Sequence, residues 1–468
     1  MHGGAVNDAG HERLRAIEAE IAAVQEAVAM AMVTPMVLRQ AVDLQVLERE
    51  RGALCGRLAD LLAAQSLQGA LLGEAMRSAE DELIRSVPKK YQSEGWREVT
   101  LRFAQGHRIT VMARYFRQKA RRRRRGGYPG LLLLGIHDRC TPTLAAEVSR
   151  LATALGSFDE ARQDLRGRGI ELDCKTVRQL TRHLASRARV AQQAQQTPLG
   201  QRLCGRRVVV SSDGGRMRIR RRKRGRHTAK GRARYRGDWQ EPKLLMIYVV
   251  DQAGRLEKDF TPWIDGTLCG PQAVFGLIAA YLRRLGVTEA DRVLFVADGA
   301  HWIWLRIAAL VRALGLRPEQ VEQLIDFYHA VQHLGEIVRH CTHWTEAMRR
   351  AWLKDQRRNL LKGQLGRVLD AIESVCCARH TPELIRERRY FLRNRARMGY
   401  ARLSEQHWPI GSGAMESAMR RVVNLRLKGN GIFWNRETAE EMLMLRSYYK
   451  AGHWDTLTTL AFTPSLAA

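Results

Sequence analysis

RRVVVSSDGG, residues 206–215, is the stretch on which the reading of the chain turns. Val208, Val209 and Val210 are β-branched and apolar, Ser211 and Ser212 are small, and Asp213 closes the run ahead of two glycines. That pattern is a buried strand ending in a carboxylate. RVLFVADGA, residues 292–300, repeats the plan with Asp298 before Gly299. A glycine behind each aspartate lets a metal or a substrate backbone come close.

Outward from these two runs, KLLMIYVVDQAG (243–254) reads as a second strand whose Asp251 is a turn residue. RLEKDFTPWI (255–264) reads as a third strand after a two-residue turn at Ala253 and Gly254. PQAVFGLIAAYLRRLG (271–286) and WIWLRIAALVRALG (302–315) have helical spacing, and QLIDF (323–327) is a short strand. A mostly helical stretch then runs to about Arg402, and a last helix runs from about Gly413 to Gly429. Strands followed by strand–helix alternation predict an α/β domain with a mixed sheet.

Ligands of open α/β sheets gather at the carboxyl ends of strands, so Asp213 and Asp298 are expected to converge there. A carboxylate at the end of a buried strand calls for positive compensation, which two Mg²⁺ ions, or Mn²⁺ in their place, would supply. Glu416, about a turn into a helix opened by the small residues of IGSGAM (410–415), is the expected third ligand. Two aspartates and a glutamate suit a two-metal cage for attack on a phosphodiester.

The composition agrees with such a substrate. Of 468 residues, 78 are Lys or Arg against 48 Asp or Glu, a net charge of +30, while 45% are hydrophobic. A folded polycation binds a polyanion, nucleic acid first. General disorder is excluded by the apolar content, and a membrane span by the lack of an apolar run of about 18 residues. The start, MHGGAVNDAGHERLR, lacks the pattern of a signal peptide, so a cytoplasmic protein is expected. The eight cysteines form no C-x-x-C pair, so neither disulfides nor a zinc site are expected.

The N-terminal third is organised differently. Leu14, Ile17, Ile21, Val24 and Val28 alternate three and four apart and Leu47, Leu54, Leu58 and Leu61 resume the heptad spacing, fitting either a dimerising coiled coil or a helical hairpin packed on its own domain. Trp96 to Ala120 alternates like a β-hairpin with Gly106 in its turn. Lys119 with Arg121, Arg122, Arg123 and on to Arg125 is a cationic run suited to phosphates. Thr143 to Val190 reads as a helix-turn-helix unit, with Ser157 and Glu160 as a capping box and Asp173 capping a second helix that carries Lys175, Arg178, Arg182, Arg187 and Arg189. QQAQQTPLGQ (192–201) looks like a linker.

SSDGGRMRIR (211–220), DWQEPK (238–243), VADGAHWIW (296–304), IDFYHAVQHL (325–334), WPIGSGAMESAMRRVVNLRLKGNGIFW (408–434) and MLMLRSYYKAGHWD (442–455) together resemble bacterial insertion-sequence transposases of the ISKra type. The resemblance spans roughly Thr143 to Asp455. It implies a ribonuclease-H-like DDE catalytic domain (205–329 and 403–455) with an all-helical insertion (330–402), preceded by a helical region (1–90), a hairpin and basic loop (91–142) and a helix-turn-helix (143–192). It also implies Asp213, Asp298 and Glu416 as the catalytic, metal-binding acids. Asp326 and His329, in D-F-Y-H, resemble a D/C-x-x-H signature that precedes such insertions and would lie near DNA. Relatives commonly carry a cysteine-paired zinc segment upstream, which this chain lacks.

Arg216, Arg218 and Arg220, with the cations up to Arg226, are expected to grip phosphates or to guard an exposed strand edge. Arg420, Arg421, Arg426 and Lys428 extend that basic surface, and Trp434 would stack on a base or cap the core. The expected function is Mg-dependent cleavage of double-stranded DNA at the terminal repeats of the element and strand transfer into target DNA, by a homodimer or larger assembly on the bacterial nucleoid, with no membrane partner. A ribonuclease-H-like nuclease without strand transfer, or a helix-turn-helix regulator, are the rival readings.

Overall fold

Apolar spacing at the N-terminus builds two long helices, α1 (Gly4–Val33) and α2 (Ala41–Leu72), followed by α3 (Glu74–Ser86). The computed structural model describes residues 4–34, 37–88, 90–119, 126–194, 199–229, 231–378 and 381–463. The chain divides into two units, Met1–Ala194 with Trp454–Ala468, and Gln195–His453. The run Arg121, Arg122, Arg123 to Arg125 lies outside the described residues, as does the middle of the expected linker.

In the first unit α1 and α2 run antiparallel, with Glu18 beside Gln65, Glu20 beside Arg57 and Arg51 reaching the carbonyl of Ala31. They pack on the hairpin of β1 (Tyr91–Arg102) and β2 (Arg108–Gln118), whose turn holds Gly106 at φ +92°. Ile17, Ile21 and Leu61 are buried with Val99, Leu101 and Val111, which is the helical-hairpin alternative for those seam positions. Polar side chains fix the register: the Asp60 carboxylate accepts from the backbone N–H of Gln105, and the buried Gln68 bonds both the N–H and the carbonyl of Met112. Replacing such fully engaged buried groups costs about 1–3 kcal/mol each.

After the two-residue β3 (Gly126–Gly127) and the short α4 (Pro129–Leu133) come α5 (Pro142–Ala154), α6 (Phe158–Gly167) and α7 (Cys174–Ala194). The expected caps are made: Ser157 Oγ accepts from Glu160 N–H at 3.0 Å and Asp173 Oδ1 from Thr176 N–H at 2.6 Å. Each cap is worth about 1 kcal/mol. Val177, Leu180 and Leu184 of α7 are buried, while Lys175 and Arg178 are exposed and Arg182 is half-buried. Arg187 instead donates to the carbonyl of Ala461, so it is a packing residue.

The second unit contains β4 (Arg207–Gly214), β5 (Met217–Arg222), β6 (Tyr235–Gln240), β7 (Lys243–Val250) and β8 (Trp263–Thr267). Then follow α8 (Pro271–Arg284), β9 (Arg292–Ala297), α9 (His301–Leu314) and β10 (Val321–Ile325). The main sheet has the order β10-β9-β4-β7-β8. β7 is antiparallel to β4 and β8, whereas β9 is parallel to β4 and β10 to β9, the expected mixed sheet. The third strand begins later than its sequence suggests. Asp251 does make the turn, accepting from Ala253 and Arg255 N–H, but residues 255–262 add to the sheet an isolated bridge of Leu256 with Val250, with Glu257 N–H donating to Val249, and the strand is Trp263–Thr267. Charged Lys258 and Asp259 and the ring of Pro262, which has no N–H to donate, do not suit a buried ladder.

Helices α10 (Phe327–His340), α11 (Glu346–Leu361), α12 (Leu365–Ala378), α13 (Pro382–Asn394) and α14 (Tyr400–Glu405) form the expected all-α stretch. The chain then returns to the sheet through α15 (Gly413–Met419), a π-helical turn over Arg420–Asn424, and α16 (Arg436–Ala451). The final helix, α17 (Trp454–Phe462), packs on α7 and belongs to the first unit. Among the described residues no helix is long and apolar enough to cross a membrane.

Candidate functional site

The parallel register decides the site. Ser211 pairs with Val296 on β4 and β9, and Ala297 pairs with Ile325 on β9 and β10. Continuing both ladders two residues and one residue further sets Asp213, Asp298 and Asp326 in one row at the carboxyl ends of three neighbouring parallel strands. A period-2 backbone leaves little choice once Val208–Val210 and Leu294–Val296 are buried.

Asp213 and Asp298 are close enough to repel. Burial raises the Asp213 carboxyl, Asp298 raises it further, and the result is about 6 despite a hydrogen bond from Gly214 N–H and the opposing charge of His329. Asp298 is held by its own turn, accepting from Ala300 N–H at 3.0 Å. Its carbonyl takes the indole N–H of Trp304 at 2.7 Å.

Glu241, in the loop between β6 and β7, adds a further negative charge near Asp213 and pairs with Lys243 at 2.8 Å. Lys243 is buried, its ammonium 4.0 Å from the ring centre of Trp302. Neither residue stands out in the sequence. The available signal is DWQEPK, which places an acid and a base just before a buried strand.

Asp326 has a different part from the DNA contact expected of it. It is 1% exposed and both its oxygens are engaged. Oδ1 caps α10 by accepting from His329 N–H, and Oδ2 accepts from the N–H and hydroxyl of Ser412. Phe327 N–H also donates to the carbonyl of Ile410 at 2.9 Å. Asp326 therefore ties the start of α15, and with it Glu416, to the row of aspartates, and sets the first turn of the helix bearing His329.

Glu416 itself is exposed, on a helix that packs against β4 and β7 with Met419 over Gly215. Among the described residues no three His, Cys, Asp or Glu side chains stand close enough to share a metal ion. Asp213 and Asp298 are thus brought together, while Glu416 is carried to the same end of the sheet without joining them in a three-acid cluster. The pair fits a divalent cation chemically: both are hard oxygen donors, and a cation would relieve the repulsion that lifts Asp213.

The insertion helices contribute a wall. The ring of Tyr390 on α13 lies against Gly299, where a methyl group would collide with it. Tyr390 stacks on His333 at 3.7 Å, His333 pairs with the buried Glu387, and His329 stands edge-on to His333 at 5.0 Å. Burial holds His333 below its usual range against the pull of Glu387, and raises Tyr390, which therefore stays a neutral hydroxyl.

The cations lie beside the acids. β5 is paired on both sides, with β6 and with the segment at Trp434, so it is not the open edge that its alternation allows. Arg216 and Arg220 to Arg226 are exposed, and Arg218 donates to the carbonyl of Gly429. Trp434 is 6% exposed, with the buried Arg426 over its ring, so it serves the core and not a base. Arg421 is taken up by the carbonyls of Ser417 and Lys450, leaving Arg420 and Lys428 exposed.

No protein-family model matches the chain, and neither a curated protein nor a solved structure is significantly similar to it.

Proposed function

We propose that the chain is a DDE transposase with a ribonuclease-H-like catalytic domain, cutting DNA at the ends of an insertion sequence and joining those ends to target DNA. The observation that carries this reading is the alignment of Asp213 and Asp298 across the β4–β9 ladder, with Asp213 raised to about 6 by burial and by its neighbour. The strand order, three antiparallel strands flanked by two parallel ones with an all-helical segment before the last acid, supports it. So does the resemblance of the blocks around Asp213, Asp298 and Glu416 to transposases of the ISKra type.

Asp213 and Asp298 would hold the divalent ions, with Glu416 as the further ligand. Bound there, Mg²⁺ would activate the attacking oxygen and offset charge on the phosphate. In the first step a water oxygen bonds to phosphorus and the 3′-oxygen leaves with a proton. In the second, that 3′-hydroxyl attacks a target phosphate and expels the target's own 3′-oxygen, so the number of phosphodiester bonds is conserved. No protein nucleophile is required, and the exposed Tyr328 is given no such role.

His329 faces Asp213 from the first turn of α10, where it would meet the scissile phosphate. The exposed arginines of β5 would hold flanking phosphates, and Lys175, Arg178 and Arg182 on α7 would meet a DNA groove. The test is incubation of the full chain with labelled element-end DNA and a target plasmid, with Mg²⁺, with EDTA, and as Glu416→Gln. Joined products that need both metal and Glu416 are expected. Metal-dependent cutting without joining would leave a nuclease, and binding with neither would leave a DNA-binding regulator.

A further inference from the structure

The β5–β6 hairpin rises between β4, which carries Asp213, and β7, closed at its base by Gly215 N–H donating to the carbonyl of Pro242 at 2.8 Å. Its two faces differ. Met217 and Ile219 are buried on one. On the other, Trp239 lies across from Arg218, Gly237 from Arg220 and Tyr235 from Arg222. Alternation alone puts these residues outward, so two large aromatic rings are spent on the wet face while the apolar face takes methionine and isoleucine.

The outward residues interleave. The Arg216 and Arg218 guanidiniums stand 5.5 and 5.4 Å from the ring centre of Trp239, Arg218 stands 4.8 Å from Phe433, and Arg220 stands 4.7 Å from Tyr235. Tyr235 and Phe433 meet edge to face at 5.7 Å, in the space left by the missing side chain of Gly237. Trp239 remains 54% exposed and Tyr235 45%, so ring surface is still open beyond the arginines.

Phosphate gripping needs cations only, and bases inside a duplex have no free faces. Aromatic surface next to cations is of use where bases are unstacked. The geometry points to the Trp239 face as a stacking platform for unpaired nucleotides of the DNA strand that enters the site at Asp213 and Asp298. This rests on the transposase reading for the identity of the strand, and it names what that strand must look like locally: opened, with a base lying on the Trp239 ring and its phosphates on Arg216 and Arg220. The tryptophan that sequence alone puts forward for stacking, Trp434, is buried, and Trp239 takes that part.

The test is equilibrium binding of the full chain, in EDTA so that no strand is cut, to fluorescein-labelled dT20, to a 20-base-pair duplex and to rU20. Trp239→Ala should weaken dT20 binding at least about fivefold, the low end of stacking losses on alanine substitution, and duplex binding less than about twofold. Trp239→Phe keeps a ring and should restore dT20 binding to within about twofold of the parent. If Trp239→Ala does not fold, Tyr235→Ala should give the same selective loss in smaller measure. Equal weakening on single strand and duplex, no change on dT20, or tighter binding to rU20 than to dT20 would each overturn the proposal. Loss of the selective effect in a protein that still joins strands removes the platform alone. A selective effect in a protein that never joins strands keeps the platform and removes the transposase.

Discussion

Two regions of the second unit crowd like charges, and they handle them in opposite ways. At the strand ends Asp213 and Asp298 are drawn together by the β4–β9 register, and burial together with their repulsion pushes Asp213 toward its neutral form. On the β5–β6 hairpin Arg216 and Arg220 are exposed and Arg218 is half-buried, and the three are spread over the rings of Trp239, Phe433 and Tyr235. The acids stand on short side chains at strand ends whose places the ladder sets. The guanidiniums sit on long stems, and aromatic faces together with water carry their charge. A cluster on short stems suits chemistry at one point, and one on long stems suits a long, flexible anion.

The largest expected effect breaks the acidic side. Asp213→Asn or Asp298→Asn should lower metal-dependent strand cleavage by more than the roughly hundredfold typical of losing a group that merely supports a metal ligand, while DNA binding in EDTA is kept. Retained cutting in either variant would remove that residue from the site. Asp326→Asn is expected to cost about 2 to 4 kcal/mol in urea unfolding, because one oxygen now serves where the carboxylate accepted from His329 and Ser412. It should also lower cleavage by loosening the α15 attachment that carries Glu416. A stability within about 0.5 kcal/mol of the parent would show that the tie is dispensable.

Smaller effects come from pH, and here the two units should respond with opposite signs. Asp213 has a raised folded value, so its contribution to stability is full below its ordinary value near 3.8 and is lost as pH rises through about 6. His137 in the first unit is pushed down to about 4 by burial and by Arg187, so its contribution is full above 6.5 and is lost as pH falls through about 4. Each is of the order of 2 to 3 kcal/mol. In EDTA, Asp213→Asn should lose less stability than the parent between pH 4 and 7 as pH rises, and His137→Gln less as pH falls. Parallel curves for parent and variant would dismiss the corresponding group. The smallest effect sharpens the cationic side: serine at Arg222, Lys223 and Arg224 should reduce the salt slope of DNA binding by about 0.9 for each phosphate that these cations neutralise in the parent. An unchanged slope would leave the three as solvated charges.

Sequence carries only part of this contrast. Buried strands ending at Asp213 and Asp298 are legible because β-branched runs have few alternatives, and the caps at Ser157 and Asp173 are legible because capping is local. What escapes depends on partners far along the chain. Asp326 becomes a tie because Ser412 arrives beside it, Trp434 becomes core because Arg426 covers it, and Glu241 gains its place only when the hairpin closes. The third strand reads too early because apolar alternation in RLEKDFTPWI mimics a strand that its charges and proline forbid.

The path of the chain bears on how the protein comes into being. α17 packs on α7 and α5, with Leu457 and Leu460 buried, although the whole second unit lies between them in the chain. A ribosome therefore makes α7 before the second unit and its neighbour α17 only after Gln195–His453 has emerged and had time to fold. A chain broken off anywhere in the second unit would carry the α5–α7 group without that packing, leaving the apolar side of α7 that receives α17 bare. Completion of the three-helix group is thus deferred until the segment bearing Asp213, Asp298 and Glu416 has been read in full.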